Sequence, residues 1–421
     1  MAAQPPPRRV FYRPGILVLL FTLLALPSLA RADALPPQFV PAQREHFDAQ
    51  PEAIGEPFPG MLLVPNGEQA DKDSKYSLPF HAACYAYIAE RRTRSGDVTG
   101  YARRFIVHAP DADTLPLAKR VARLLLLLFG QNRERMRFDH PISAPTVDVW
   151  LMRQGGQGTA AEAGGEQTKN DIYLYNLYAE RKPIEWAREI AHEYGHFALP
   201  GVSGYTAPEE WANGVLGERL FLKWLRDDLR AGRLRPEDLP FVTPEQLDEY
   251  LARQVTPLIR RVLRDGVEER LMGRRDAGGM DYYTGFALYL DTLYGSRALL
   301  DALAYTSPSQ NGVFIRATDF LKGAQASLAG ATEFTVTLPL LDKERPLDTL
   351  MLYLPRGEYT VTTEGPVRSW RFDYTQKGLH ESGRNGVMAN LPGWRRLRVS
   401  LAQAADAPAR LTFHRRGSEV Q

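Results

Sequence analysis

The chain holds a single cysteine, Cys84, in 421 residues. One thiol cannot close an internal disulfide, so an oxidising compartment would add nothing to this fold. Within "HAACYAYIAE" the residue reads as a small buried apolar side chain. Charge of one sign is also lacking. Lys and Arg number 52 against 50 Asp and Glu, a net charge of +2. No basic stripe interrupts this balance, which excludes the electrostatic footprint of a nucleic-acid binder. The arginines at 260, 261, 264, 270, 274 and 275 alternate with apolar and acidic residues, as on a solvated helix face. Long apolar runs are scarce. Leu124–Leu128 is far short of the roughly 20 residues a membrane span requires. No internal repeat is present.

The main apolar run, "ILVLLFTLLALPSLA", sits near the N-terminus behind the basic "RRVFYRPG". Small-residue sites follow at Ala30-Arg31-Ala32 and Ala32-Asp33-Ala34. This is the three-part layout of a secretory signal, so residues 1–32 are expected to be removed on export, leaving no stable membrane span. Arg8-Arg9-Val10-Phe11 resembles a twin-arginine signal, although Pro7 replaces the usual Ser or Thr. No cysteine follows the apolar core, so a bacterial-type lipid anchor is not indicated. The expected location is periplasmic or secreted.

An apolar content of 44% in a chain of this length allows two or three domains. Residues 33–75, rich in Pro, Gly, Gln and Asp, read as an extended lead-in. Residues 76–330 read as an α+β unit, with an α/β part over 76–200 and a helical part over 201–330. Strands are expected at 103–110, 146–154 and 170–177, with a flexible loop over "GGQGTAAEAGGEQTK". A helix is expected from Thr114, its cap, to Gly130, its stop, and another begins at Pro183 and closes at Leu199-Pro200. A long helix is expected over about 208–229, more helices over 243–273 with Thr243 as cap, and a helix or helix pair over 281–305. From residue 331 to 421, short alternating strands such as "LDTLMLYLP" and "ARLTFHRR" predict a small β-sandwich.

The helix opening at Pro183 contains "REIAHEYGHFALP". Positions i and i+4 share a helix face, so His192 and His196 can reach one ion. Glu193, rotated about 100° from His192, stands beside that ion without having to bind it. Two imidazoles and one carboxylate make Zn²⁺ the natural candidate, with a position left open for water. Leu199 and Val202 stand where a three-histidine extension would need Gly and His. No Asp occurs between His196 and Trp224. The third-ligand candidates are therefore Glu209, Glu210 and Glu218. Thr206 and Glu209 have the spacing of a capping box. Glu210 would sit in a first helical turn, where the helix dipole favours a carboxylate in any case. Glu218 falls on an apolar stripe with Trp211, Gly214, Val215, Phe221, Leu222 and Leu225, where a partner is needed to offset its burial. Glu218 is favoured over Glu210.

His192, Glu193, His196 and a glutamate on the next helix resemble the gluzincin branch of zinc peptidases, which includes thermolysin-like and alanyl-aminopeptidase-like domains. The resemblance covers about residues 100–305. It implies a zincin-like fold, Zn²⁺ held by His192, His196 and Glu218, Glu193 as general base, and a peptide or protein substrate. Two departures stand out. In "WANGVLGE" an asparagine-glycine pair replaces the Asn-Glu-Gly context of the aminopeptidases, with the glutamate displaced. The Gly-Ala-Met-Glu-Asn signature that grips a peptide amino terminus is missing, so aminopeptidase specificity is not implied. "YYTG" at 282–285 is similar to the segment whose tyrosine stabilises the oxyanion, which implies that role for Tyr282, with Tyr283 as the alternative.

The expected function is that of an exported zinc metallopeptidase, a hydrolase. The strand "NDIYLYN" is expected to serve as an edge for an extended substrate. Two rivals remain: a non-catalytic binding protein on the same scaffold, its β-domain engaging glycan or protein, and a metal-dependent hydrolase of a non-peptide bond.

Overall fold

The computed structural model describes residues 52–54, 61–66, 72–73, 79–92, 94–95, 98–136, 146–154, 164–168, 171–199, 201–206, 209–305, 315–330, 333–338, 348–355, 357–373, 380–383, 386–390, 393–402 and 409–415. The expected export signal lies outside them. Among the described residues, no helix is long and apolar enough to cross a membrane.

The architecture is α+β. Strands β1 (Glu52–Ile54), β2 (Met61–Asn66), β5 (Ala82–Arg92), β6 (Val98–Ala109), β7 (Val147–Leu151), β8 (Gly164–Thr168) and β9 (Asp171–Tyr175) form one sheet. Its order is β1-β2-β5-β6-β7-β9-β8. β3 (Lys72–Asp73) and β4 (Pro79–Phe80) make a separate short pair. β6, β7 and β9 run parallel, and β8 closes that side antiparallel to β9. The parallel pairs need crossovers, and one is the helix α1 (Leu115–Met136), which packs on β2, β5 and β6. Alternation along the strands divides the faces. Val147, Val149 and Leu151 of β7 and Ile172 and Leu174 of β9 join the helix-covered core together with Cys84. Trp150, Tyr173 and Tyr175 point the other way, in a cluster with Phe80 and Met152.

Three features differ from expectation for identifiable reasons. Segments of the 33–75 lead-in are strands, because β2 pairs with β5 along six positions. The expected loop at 155–169 contains β8, so β9 is paired on both sides and cannot present a free edge. α1 continues six residues past Gly130. Gln131 and Arg135 on that extra turn and a half both donate to the buried Asp228, which outweighs a glycine's propensity to stop a helix.

The site helices follow: α2 (Pro183–Ala198) and α3 (Ala212–Arg230). Then come α4 (Pro244–Tyr250), α5 (Thr256–Asp265), α6 (Glu269–Met272), α7 (Ala277–Tyr294), α8 (Ser296–Ala304) and α9 (Ala317–Ala329). Thr243 caps α4 through the backbone N–H of Gln246, as its sequence context implies. Strands β10 (Glu333–Thr337), β11 (Thr349–Leu354), β12 (Gly357–Glu364), β13 (Val367–Asp373), β14 (His380–Gly383), β15 (Gly386–Asn390), β16 (Gly393–Leu401) and β17 (Arg410–Arg415) complete the chain. They form two antiparallel sheets, β10-β17-β12-β15 and β11-β16-β13-β14. Phe372 of one sheet meets Phe413 of the other with ring centroids 6.1 Å apart, across a shared core. This β-unit rests on α7. The Tyr289 hydroxyl donates to the Met351 carbonyl at 2.7 Å, and Phe286 meets Trp394 edge-on.

Candidate metal centre

α2 begins at Pro183, whose missing N–H costs nothing in a first turn, with the Glu185 side chain accepting from the Lys182 N–H. α3 lies against it at backbone distance because both contact faces are glycine. A Cβ added at Gly195 would stand 2.6 Å from the Asn213 carbonyl oxygen and 2.9 Å from the Gly217 Cα. Only glycine permits that approach.

The approach puts α3 over the two histidine rings. A Cβ at Gly214 would stand 2.7 Å from His192 Nε2 and closer still to His196 Nε2. Gly214 therefore occupies the place from which a side chain on α3 would point between the two imidazoles. The carboxylate that enters this space is that of Glu209. Its Oε2 lies 3.4 Å from His192 Nε2 and its Oε1 lies 3.7 Å from His196 Nε2. The chosen ligand atoms of the three residues all fall within 4.8 Å of one another. Donors around a tetrahedral zinc with bonds of 2.0–2.1 Å stand about 3.3 Å apart, so the spacing, the donor types and the room at Gly214 all fit Zn²⁺.

Glu209 is free to do this because α3 starts at Ala212 with Trp211 as its N-cap. The expected capping box is absent, and Thr206 Oγ1 instead donates to the Arg275 carbonyl. Bridges between Val202 and Ile315 and, antiparallel, between Ser203 and Trp211 pin both ends of this segment. Glu210 is exposed.

Glu218, on α3 as expected and buried, sits behind His192 rather than before it. Its Oε2 lies 3.7 Å from His192 Nδ1. Its Oε1 accepts from Arg188 Nε and from the Tyr250 hydroxyl, both at 2.7 Å. His196 has an equivalent support. Asn213 Oδ1 lies 3.0 Å from His196 Nδ1, while Asn213 Nδ2 donates to the carbonyls of His196 and Leu199. Because Nδ2 is used by two carbonyls, Oδ1 must accept, so His196 carries its proton on Nδ1 and turns an Nε2 lone pair toward the centre.

The electrostatics are those of a cation site. Burial alone would lower the His192 pKa. Hydrogen bonding to Glu209 and Glu218 and the charge of Glu193 reverse this and raise it to about 10. His196 is lowered by burial and by the neighbouring His192 charge. Burial opposes ionisation of Glu209, yet the two histidines hold its pKa below the ordinary value. Glu218 likewise falls to about 2 against its burial, through His192, Arg219 and Arg188.

Glu193 is only 4% exposed. β8 covers it: a Cβ at Gly165 would stand 2.7 Å from Glu193 Cγ and Oε1. The Tyr282 hydroxyl is engaged elsewhere, donating to the Gly266 carbonyl and accepting from the Glu268 N–H. Burial pushes its pKa up to about 12. Tyr283 is buried edge-on against Phe320.

Sequence reasoning passed over Asn213, Gly165, Arg188 and Tyr250 and gave Glu209 a capping role. The "NG" of "WANGVLGE" was the available signal for Asn213. Comparison with protein-family models and with curated proteins finds no match to this chain.

Proposed function

We propose that this chain is an exported zinc-dependent peptidase on a zincin-like scaffold, with the metal held by His192, His196 and Glu209. One observation carries the reading: the Glu209 carboxylate stands between the Nε2 atoms of both motif histidines, in a space that glycine at 214 keeps clear. Bound zinc supplies a Lewis acid that polarises a substrate carbonyl and acidifies water. Glu193, one residue from His192, takes the proton of the attacking water and delivers it to the leaving amine. Glu218 and Asn213 act behind the histidines, fixing the ring orientation of each. In this reading Glu218 is a positioning residue and Glu209 the third ligand. The amino-terminal Arg8-Arg9 and the apolar run after it support export.

The experiment is metal analysis together with a peptide-library assay of the wild type and Glu193→Gln. The proposal requires about one zinc per chain in both and turnover only in the wild type. A second reading, metal binding without turnover, draws on the near-complete cover of Glu193 by β8. Zinc in the wild type with no cleavage of any peptide would establish it.

A further inference from the structure

A second concave feature lies one helical turn from His192, toward the start of α2. A cavity of about 300 Å³ opens between α2 and the connection from α4 to α5, with Lys182, Glu185, Arg188, Tyr250 and Arg253 in its wall. Part of that wall is Leu251–Val255, which is wound as a π-helical turn. Such wide turns are rare and concentrate at functional sites.

The charges around the cavity are nearly all committed. Glu249 pairs with Arg253 at 2.7 Å, and Glu185 accepts from the Lys182 backbone. Glu218 is shared by Arg188 and Arg219, at 2.7 and 3.9 Å. Glu189, its pKa raised by burial, lies among Arg181, Arg188 and His192. In the cavity wall itself Lys182, Arg188 and Arg253 outnumber Glu185 and Glu249 by one cation. Arg188 is where that charge is available. Its Nε is bound to Glu218, its guanidinium carbon lies 5.9 Å from the centroid of the Tyr250 ring, and its two Nη groups make no hydrogen bond among the described residues. A guanidinium anchored at Nε and steadied by an aromatic ring presents its Nη edge in one orientation, which suits a carboxylate.

We propose that this cavity is a subsite for a carboxylate-bearing side chain of a peptide, with Arg188 donating from Nη and Lys182 supplying a second charge at the rim. The site thereby selects Asp or Glu beside the segment held at the metal centre. The neutral isostere would offer the Nη edge a single uncharged acceptor in place of a carboxylate, so the amide should be disfavoured. The inference rests on the peptidase reading for the nature of the ligand, and on the cavity's own residues for its charge.

The test is calorimetric titration of the full chain with acetyl-Ala-Glu-Ala-amide and acetyl-Ala-Gln-Ala-amide, with zinc and after chelation. The acidic peptide should bind about tenfold more tightly. The preference should persist after chelation, because neither Arg188 nor Lys182 binds the metal. Arg188→Gln should abolish it. Lys182→Glu alters an exposed side chain and tests the same charge without risk to the fold, and it should reduce the preference severalfold. Equal binding of the two peptides by the wild type, or a preference that survives Arg188→Gln, would overturn the subsite. An acid preference without any turnover would support the subsite and sink the peptidase reading. Turnover without the preference would do the reverse.

Discussion

Replacing Glu209 by Ala removes the one carboxylate that reaches both Nε2 atoms, and the size of the effect should depend on pH in a way that identifies its cause. A four-ligand zinc site is stabilised by roughly 10–16 kcal/mol, so one ligand contributes about 3 kcal/mol, or about two powers of ten in affinity. A proton competes for the same place. With His192 at about 10, zinc binding near pH 7.5 must expel a proton held about 2.5 pH units above ambient, an opposing term of roughly 3 kcal/mol. Glu209 is the largest of the contacts that raise that pKa, so its removal also weakens the competitor. The two effects oppose each other near neutrality and separate above pH 10, where His192 is neutral with or without Glu209. Zinc affinity, measured by competition with a chromophoric chelator, should therefore fall about tenfold near pH 7.5 and about a hundredfold near pH 11. Glu209→Ala binding zinc as tightly as the wild type at both pH values, while Glu218→Ala loses it, would refute the argument and return the ligand role to Glu218.

Gly214→Ala should lose zinc with its helical circular dichroism intact, since the new Cβ would meet His192 Nε2 at 2.7 Å; tight binding in this variant would show that the metal lies elsewhere. Asn213→Ala frees His196 Nδ1 and two carbonyls and should weaken zinc by about 10–100-fold in the same chelator competition. Asp291 is fully enclosed and accepts from Lys223, Trp224 and Ser296; Asp291→Ala should cost roughly 3–5 kcal/mol in urea unfolding. Glu218, at about 2 when folded against an ordinary 4.5, contributes stability that is full above pH 4.5 and lost as pH falls toward 2. The metal-free protein should accordingly lose about 3 kcal/mol across that window, and Glu218→Gln should flatten the acid limb of its pH–stability curve.

Much of the site was legible locally. The i, i+4 histidines, Pro183 at the helix start and the capping box at Thr243 depend on neighbours within one turn, and each stands where its spacing put it. The alternating runs after residue 331 were likewise readable, because strand alternation is a local property. What escaped depended on distant partners. β8 carries a Gly-Gly pair and no apolar alternation, and it is a strand because β9 offers it an edge. The start of α3 shifted from about 208 to Ala212 because Trp211, just before it, is bridged antiparallel to Ser203. That shift of four residues moved Glu209 from a capping role to the face of the two histidines. Glu218 was read as needing a partner, and Arg188, Tyr250 and His192 are among those it has. All three lie on other helices, two on α2 and one on α4, whose approach no periodicity could reveal.

Glu209 reaches the histidines from a connecting segment, whereas His192 and His196 stand on a rigid helix. A metal ion bound there would act as a fastener between the two, and its residence time would be governed by how often the strap bearing Glu209 lifts away. Amide hydrogens of residues 209–211 should then exchange slowly when zinc is present and quickly after chelation, while those of α2 change little. The affinity of the centre and the local stability of that strap are one quantity observed from two sides. Substitutions at Ile315 or Arg275, whose backbones pin the strap, should therefore hasten zinc release without touching a ligand.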